Sequence, residues 1–261
     1  MILRTVSRRC GHALPLIVTG VAGCGGGAEA AAFLVAPEQF FSSTRVVAMA
    51  PVRPPAEVVI AEQGLARLDT LLDARLRDAG FDVVPSAEYA RIWQAVLERV
   101  GGIYDPLTGV PDDAKLGEAR LQLADELELG FGADALLYPE LWVEDVPFDD
   151  GRVEWHGVSE SVVRTGPAIV GAVLGALAAL GDQGQRDADL PSGMVRVLSL
   201  HVFIEDLAGV EMYRRAGGLR VVEKMGWHAG DWSQVEAEDL LGDPERNRRA
   251  VDVALEPLVT R

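Results

Sequence analysis

Apolar positions along this chain follow two patterns that alternate. Arg45-Val46-Val47-Ala48-Met49-Ala50-Pro51 is apolar without interruption and closed by proline, as a strand covered on both faces would be. From Ile60 to Ala79 the period changes. Leu65, Leu68, Leu72, Leu76 and Ala79 recur at helical steps, and Gly80 stands where a left-handed C-terminal residue belongs. Phe81-Asp82-Val83-Val84-Pro85 predicts a second strand. Ser86 can cap a helix over 87–100, with Ile92 and Val96 inward and Gly101-Gly102 closing it. Beyond the turn-rich loop Tyr104–Gly109, Asp113 is expected to cap a helix over about 114–129, with Leu116, Leu123, Ala124 and Leu127 on one side. Phe33 to Ser43 shows neither period and is expected to be irregular.

The second half reads mostly as strand. Gly132 to Tyr138 opens a long strand through Glu144, in which Pro139 implies an edge position or a bulge. Asp149-Asp150-Gly151 supplies a hairpin turn, and Arg152 to Val158 returns. Met194 to Glu205 places Leu198, Leu200, Val202 and Ile204 on one face. Asp206 to Gly209 turns the chain into Val210–Glu223, interrupted at Gly217-Gly218. Asp243-Pro244 starts the last helix, whose buried stripe is Val251, Ala254, Leu255 and Leu258. The pattern predicts an α/β domain with a single mixed β-sheet and packed helices, in the order β-α-β-α-α-β-β-β-β-α. Right-handed crossovers should put Arg45–Pro51, Phe81–Pro85 and Ala133–Leu137 in one sheet.

Two apolar stretches stand outside this scheme. Near the N-terminus, Arg4, Arg8 and Arg9 precede the run Ala13–Ala22. A basic region, a short apolar region and then small residues describe a cleaved signal peptide. At about 1.5 Å per residue the run reaches roughly 15 Å, half a bilayer core. Val21-Ala22-Gly23-Cys24, directly after it, resembles the lipobox of bacterial lipoproteins. The resemblance implies a signal peptide over 1–23, three acyl chains on Cys24, a lipidated tether over 24–43 that begins Gly25-Gly26-Gly27, and a periplasmic domain over 44–261. Gly25, in place of the aspartate that retains many such proteins in the inner membrane, implies the outer membrane. Cys10 leaves with the signal, so the mature domain has no disulfide. The other stretch, Gly166 to Gly181, has no polar side chain and is short for a membrane span. Gly171 and Gly175 form a G-x-x-x-G, through which a helix can pack backbone-close against another. Its cover is either the domain's own core, or a membrane or second subunit.

Charge narrows the partners. The formal net charge is −16, and removing residues 1–23 takes away three arginines and no acid, which leaves −19. Such a surface repels phosphate backbones and anionic headgroups, against nucleic acid as a partner. The histidines are His12, His156, His201 and His228. None has a second histidine or an acid at metal-ligand spacing along the chain, so the plain reading is structural. Asp105, Asp112 and Asp113 fit no calcium loop. No Gly-x-Ser-x-Gly and no His-Glu-x-x-His occurs. Glu144/Asp145 and Asp149/Asp150 read as a solvated turn. Trp142 and Trp155 read as a cross-strand pair, with a ligand groove as the alternative. No catalytic residue, metal ligand or cofactor is assigned.

Three stretches, Arg45–Pro51, Gly80–Ser86 and Gly132–Tyr138, sit at spacings that resemble a group of bacterial envelope lipoproteins. The group includes the curli secretion channel subunit, the lipoprotein activator of penicillin-binding proteins and the N-terminal domain of the Tol-system translocation protein. Gly132-Ala133-Asp134-Ala135 is similar to a "GADA" turn in a related group of uncharacterised proteobacterial lipoproteins. The resemblance implies an α/β domain tethered at the periplasmic face of the outer membrane. It implies a domain that binds an envelope protein or associates with itself and is not an enzyme. The chain lacks the paired amphipathic hairpins of channel-forming members and the long Pro-rich tether of an activator. The alternatives are a subunit of an oligomeric channel using residues 166–181, and an anchored periplasmic hydrolase.

Overall fold

The computed structural model describes residues 32–105, 108–163, 192–226 and 232–259. Val21 to Cys24, the rest of the signal region, and residues 166–181 with Gly171 and Gly175 lie outside the described residues.

The fold grows from β1 (Val46–Met49). It is flanked in parallel by β2 (Asp82–Val84) and by the start of β3 (Ala135–Asp149), with Val47 opposite Val83 on one side and Ala135 on the other. Asp134 explains why a short polar residue precedes β3. Its Oδ2 accepts the amides of Arg45 and Val46 at 2.8 and 3.0 Å, satisfying donors at the start of β1 that have no ladder partner. Continuous apolar character in β1 reflects cover on both faces. Val47 and Met49 meet Leu68, Leu72 and Leu76 of α2 (Glu62–Asp78). Ala48 and Ala50 meet Tyr89, Ile92 and Val96 of α3 (Ser86–Arg99), with Leu123 and Leu127 of α4 (Asp113–Phe131) beside them.

β6 (Gly193–Asp206) runs antiparallel to β3 along its length, from Ala135 opposite Asp206 to Phe148 opposite Gly193. β7 (Glu211–Val221) continues the sheet beyond β6. Pro139 falls where the β1 side of β3 breaks off: Arg53 donates its amide to the Pro139 carbonyl at 2.9 Å, and β1 itself has already ended. One face of β6 and β7 is covered by α6 (Pro244–Val259), through Val251, Ala254, Leu255 and Leu258. On the other face, the hairpin β4 (Arg152–Trp155) and β5 (Val158–Ser161) folds over the far end of the sheet. It encloses Phe148, Val153, Trp155, Val195, Val197 and Val221. A separate two-stranded sheet of β8 (Glu223–Met225) and β9 (Trp232–Gln234), and the short α5 (Ala237–Leu240), link β7 to α6. The chain is therefore a mixed α/β protein with a mixed sheet. Among the described residues, no helix is long and apolar enough to cross a membrane.

Several local expectations are corrected. Residues 33–43 are not irregular throughout. Pro37–Ser43 is a helix, α1, set by proline in its first turn and by burial of Phe40 against Phe33 at 5.3 Å and Phe81 at 6.3 Å. Before it, Ala32–Leu34 lies along the free edge of β7. The Leu34 amide donates to the Met212 carbonyl and the Arg214 amide to the Ala32 carbonyl, both at 2.9 Å. The N-cap of α4 is Asp112 rather than Asp113: its carboxylate accepts the Ala114 and Lys115 amides at 3.1 Å. Ser86 caps nothing. It lies inside α3 behind Pro85, and its hydroxyl serves Asp69 instead. The return after Asp150-Gly151 is two short strands, because the chain reverses again at His156-Gly157.

Candidate functional site

The two covers on one face of the β3–β6 pair do not meet. Between the helices α3 and α4 at one end and the β4–β5 hairpin at the other lies a strip that neither element covers fully, open at Trp142 and closed over Ser199 and His201. The strand register assigns it Glu140, Trp142 and Glu144 from β3 and Ser199, His201 and Phe203 from β6, with Glu140 opposite His201 and Trp142 opposite Ser199. Polar side chains at these alternate positions are what keeps the strip from joining either core.

A histidine enters the strip from above. His156 and Gly157 form the two-residue turn between β4 and β5, with φ of +38° and +76°. Two positive φ values in succession describe the tight turn whose twist suits a hairpin. The hairpin is seated by Gly218 of β7, whose amide donates to the His156 carbonyl at 3.0 Å. A Cβ on Gly218 would stand 2.9 Å from both the Trp155 carbonyl and its Nε1, so only glycine lets the hairpin come this close. On the opposite face a Cβ on Gly217 would stand 2.0 Å from the Ala250 carbonyl of α6. The adjacent glycines thus admit a helix on one side and the hairpin on the other.

The result is a carboxylate between two imidazoles. His156 Nε2 lies 3.0 Å from Glu144 Oε2, and His201 Nε2 lies 3.4 Å from Glu144 Oε1. The second approach does not meet hydrogen-bond geometry, and His201 Nε2 is buried with no hydrogen-bond partner. The Ser199 hydroxyl donates to Glu144 Oε2 at 2.5 Å. Trp142 stacks on the His201 ring at 4.2 Å and 21°, which fixes the plane of the imidazole. Burial alone would raise the Glu144 pKa. The close approach of His156, His201 and Ser199 outweighs it and holds the carboxyl far below the usual carboxylate range. One ligand atom from each of Glu144, His156 and His201 lies within 4.8 Å of the others.

The strip continues away from this cluster. Trp142 Nε1 donates to Glu140 at 2.9 Å, and Glu140 pairs with Arg53 at 2.5 Å. Arg53, Pro54 and Pro55 wall a shallow groove beside Trp142. On the other side the Arg214 guanidinium lies 5.1 Å over the Phe203 ring.

Of the residues singled out in sequence, Trp142 and Trp155 do not pair. Trp155 is buried under the hairpin, whereas Trp142 is 42% exposed on the strip. Glu144 and Asp145 separate by strand alternation, only Glu144 joining the cluster. Asp149 accepts the Ser192 hydroxyl. Cys24, Gly171 and Gly175 lie outside the described residues. Sequence reasoning did not find the convergence of Glu144, His156 and His201, because each comes from a different strand or turn. The one available signal was the polar pair Ser199 and His201 inside the run 197–204, which is otherwise apolar on both faces.

Comparison with protein-family models and with curated proteins gives no match.

Proposed function

We propose that this chain is a lipid-anchored envelope protein whose α/β domain is a binding module, with the partly open strip between Arg53 and His156 as its recognition face. The lipobox-like Val21-Ala22-Gly23-Cys24 supports export, cleavage and acylation, and Gly25 supports the periplasmic face of the outer membrane. The observation that carries the binding reading is Trp142. It is a large aromatic side chain left 42% exposed in a strip flanked by charged groups, and residues of this type anchor protein contacts. The occupant is another envelope protein or a second copy of this chain, and not nucleic acid, which the acidic surface would repel.

The test is site-specific photocrosslinking in the native envelope. A photoreactive residue at Trp142 or Arg53 should trap one discrete adduct, and the adduct should vanish when Trp142→Ala is combined with the probe at Arg53. A probe at Leu129, exposed on α4 away from the strip, should trap none. Equal labelling from all three positions refutes the recognition face.

A further inference from the structure

We infer that Glu144, His156 and His201 form a binding site for a divalent first-row transition ion of the zinc class. The inference is independent of the partner-binding reading. It starts from the donor set, two imidazoles and one carboxylate. Three protein ligands of this kind with a fourth position open to solvent make a common zinc arrangement. Calcium and magnesium call for oxygen donors throughout and fit it poorly.

Geometry agrees. Bonds of about 2.0–2.1 Å around a tetrahedral ion put neighbouring ligand atoms roughly 3.3–3.4 Å apart. The two imidazole-to-carboxylate distances are 3.0 and 3.4 Å, one to each oxygen of Glu144. All three ligand atoms lie within 4.8 Å of one another, and binding an ion would draw them to the tetrahedral spacing.

The independent pointer is His201. The residue is 8% exposed, and its Nε2 faces Glu144 without a hydrogen-bond partner. Buried polar atoms are nearly always satisfied, and an exception calls for an explanation. Coordination supplies one, since the atom left unpaired is the atom an ion would take. The surroundings also match the support that metal ligands receive: Trp142 fixes the His201 ring, Ser199 holds Glu144, and Gly218 seats the turn that carries His156. The His156 and Glu144 side chains retain 35% and 27% exposure, so an ion and its fourth ligand can reach the site from solvent.

The test uses the full chain, stripped with chelator and titrated with Zn²⁺ by calorimetry. Co²⁺ is added in parallel, and its visible bands report the coordination. One saturable equivalent is expected. Glu144→Gln, His201→Gln and His156→Asn should each weaken it beyond the roughly 10–100-fold that loss of a supporting residue causes, and Ser199→Ala should fall within that span. His156→Asn is the decisive variant, because asparagine accepts the left-handed backbone of this turn. Metal-free, it should still unfold cooperatively, somewhat below the wild type for loss of the bond to Glu144, while Zn²⁺ should raise the melting temperature of the wild type alone. Absence of a saturable equivalent in the wild type overturns the site. So does wild-type affinity in His156→Asn or Glu144→Gln, which would place the ion elsewhere, such as at His12 or His228.

Discussion

The Gly218 amide donates a 3.0 Å hydrogen bond to the His156 carbonyl, and this contact sets where the His156 imidazole stands over β3. Replacing Gly218 with alanine puts a methyl group 2.9 Å from Trp155 backbone and indole atoms. Gly218→Ala should destabilise the domain by about 1–3 kcal/mol, the usual range for overpacking, and lift the hairpin from Glu144. Gly217→Ala should cost more, because the obstacle at 2.0 Å is the α6 backbone at Ala250, which cannot rotate aside. Urea denaturation of the two variants should rank them in that order.

Glu160 gives a second prediction. Its carboxylate is 4% exposed and meets Lys224 at 2.9 Å and Arg246 at 2.7 Å, and it accepts the Val221 amide at 3.1 Å. It therefore ties the β4–β5 hairpin to β7, β8 and α6. Burial opposes its ionisation, but Lys224, the Val221 amide and Arg246 outweigh burial and lower its pKa from 4.5. A depressed carboxylate stabilises the fold above its unfolded pKa, and that contribution is lost as pH falls through the folded value. The melting temperature should drop as pH falls below about 4.5. Glu160→Gln should lower it at pH 7, by about 3 kcal/mol of stability for a broken buried pair, and flatten its acid dependence. An unchanged slope in the variant would assign the acid response to other carboxylates.

Asp134 tests the meaning of the Gly-Ala-Asp-Ala turn. Its carboxylate accepts the Arg45 and Val46 amides, beside a backbone bond from the Asp134 amide to the Val46 carbonyl at 2.8 Å that a substitution leaves in place. Hydrogen bonds to a charged acceptor contribute about 1.5–3 kcal/mol. Asp134→Ala should cost about that much, and hydrogen exchange should speed first at Arg45 and Val46. Exchange unchanged there would remove the capping role.

The anchor is tested at Cys24. Cys24→Ser should abolish acylation and leave the chain unprocessed or in the aqueous phase of a detergent partition. Recovery of the variant as an acylated, detergent-phase protein would sink the lipoprotein reading. Fractionation of the wild type should place it in the outer membrane, and enrichment in the inner membrane would refute the reading of Gly25.

The parallel half of the fold was legible because its signals are local. Uninterrupted Val46–Met49, the Leu68/Leu72/Leu76 stripe and Gly80 each report on their own few residues. Asp243-Pro244 was legible for the same reason: the Asp243 carboxylate accepts the Glu245 and Arg246 amides at 3.0 and 3.3 Å. What escaped depended on contacts between distant segments. α1 is too short to show a period and forms because Phe40 has Phe33, Phe81 and Tyr213 to pack on. The cluster escaped for a related reason. Glu144 and His201 meet through strand register, and His156 arrives only because a second turn follows the first and Gly218 admits it. No spacing along the chain encodes that.

The pairing of Ala32–Leu34 with the edge of β7 shortens the leash. The globular part begins at Ala32, so seven residues, or eight chain steps, separate it from Cys24. Fully stretched, at roughly 3.3–3.6 Å each, they span at most about 30 Å. With Cys24 acylated, the domain would work within about 30 Å of the lipid surface, unable to patrol the width of the periplasm. Whatever meets the Trp142 strip would have to come to the membrane to do so.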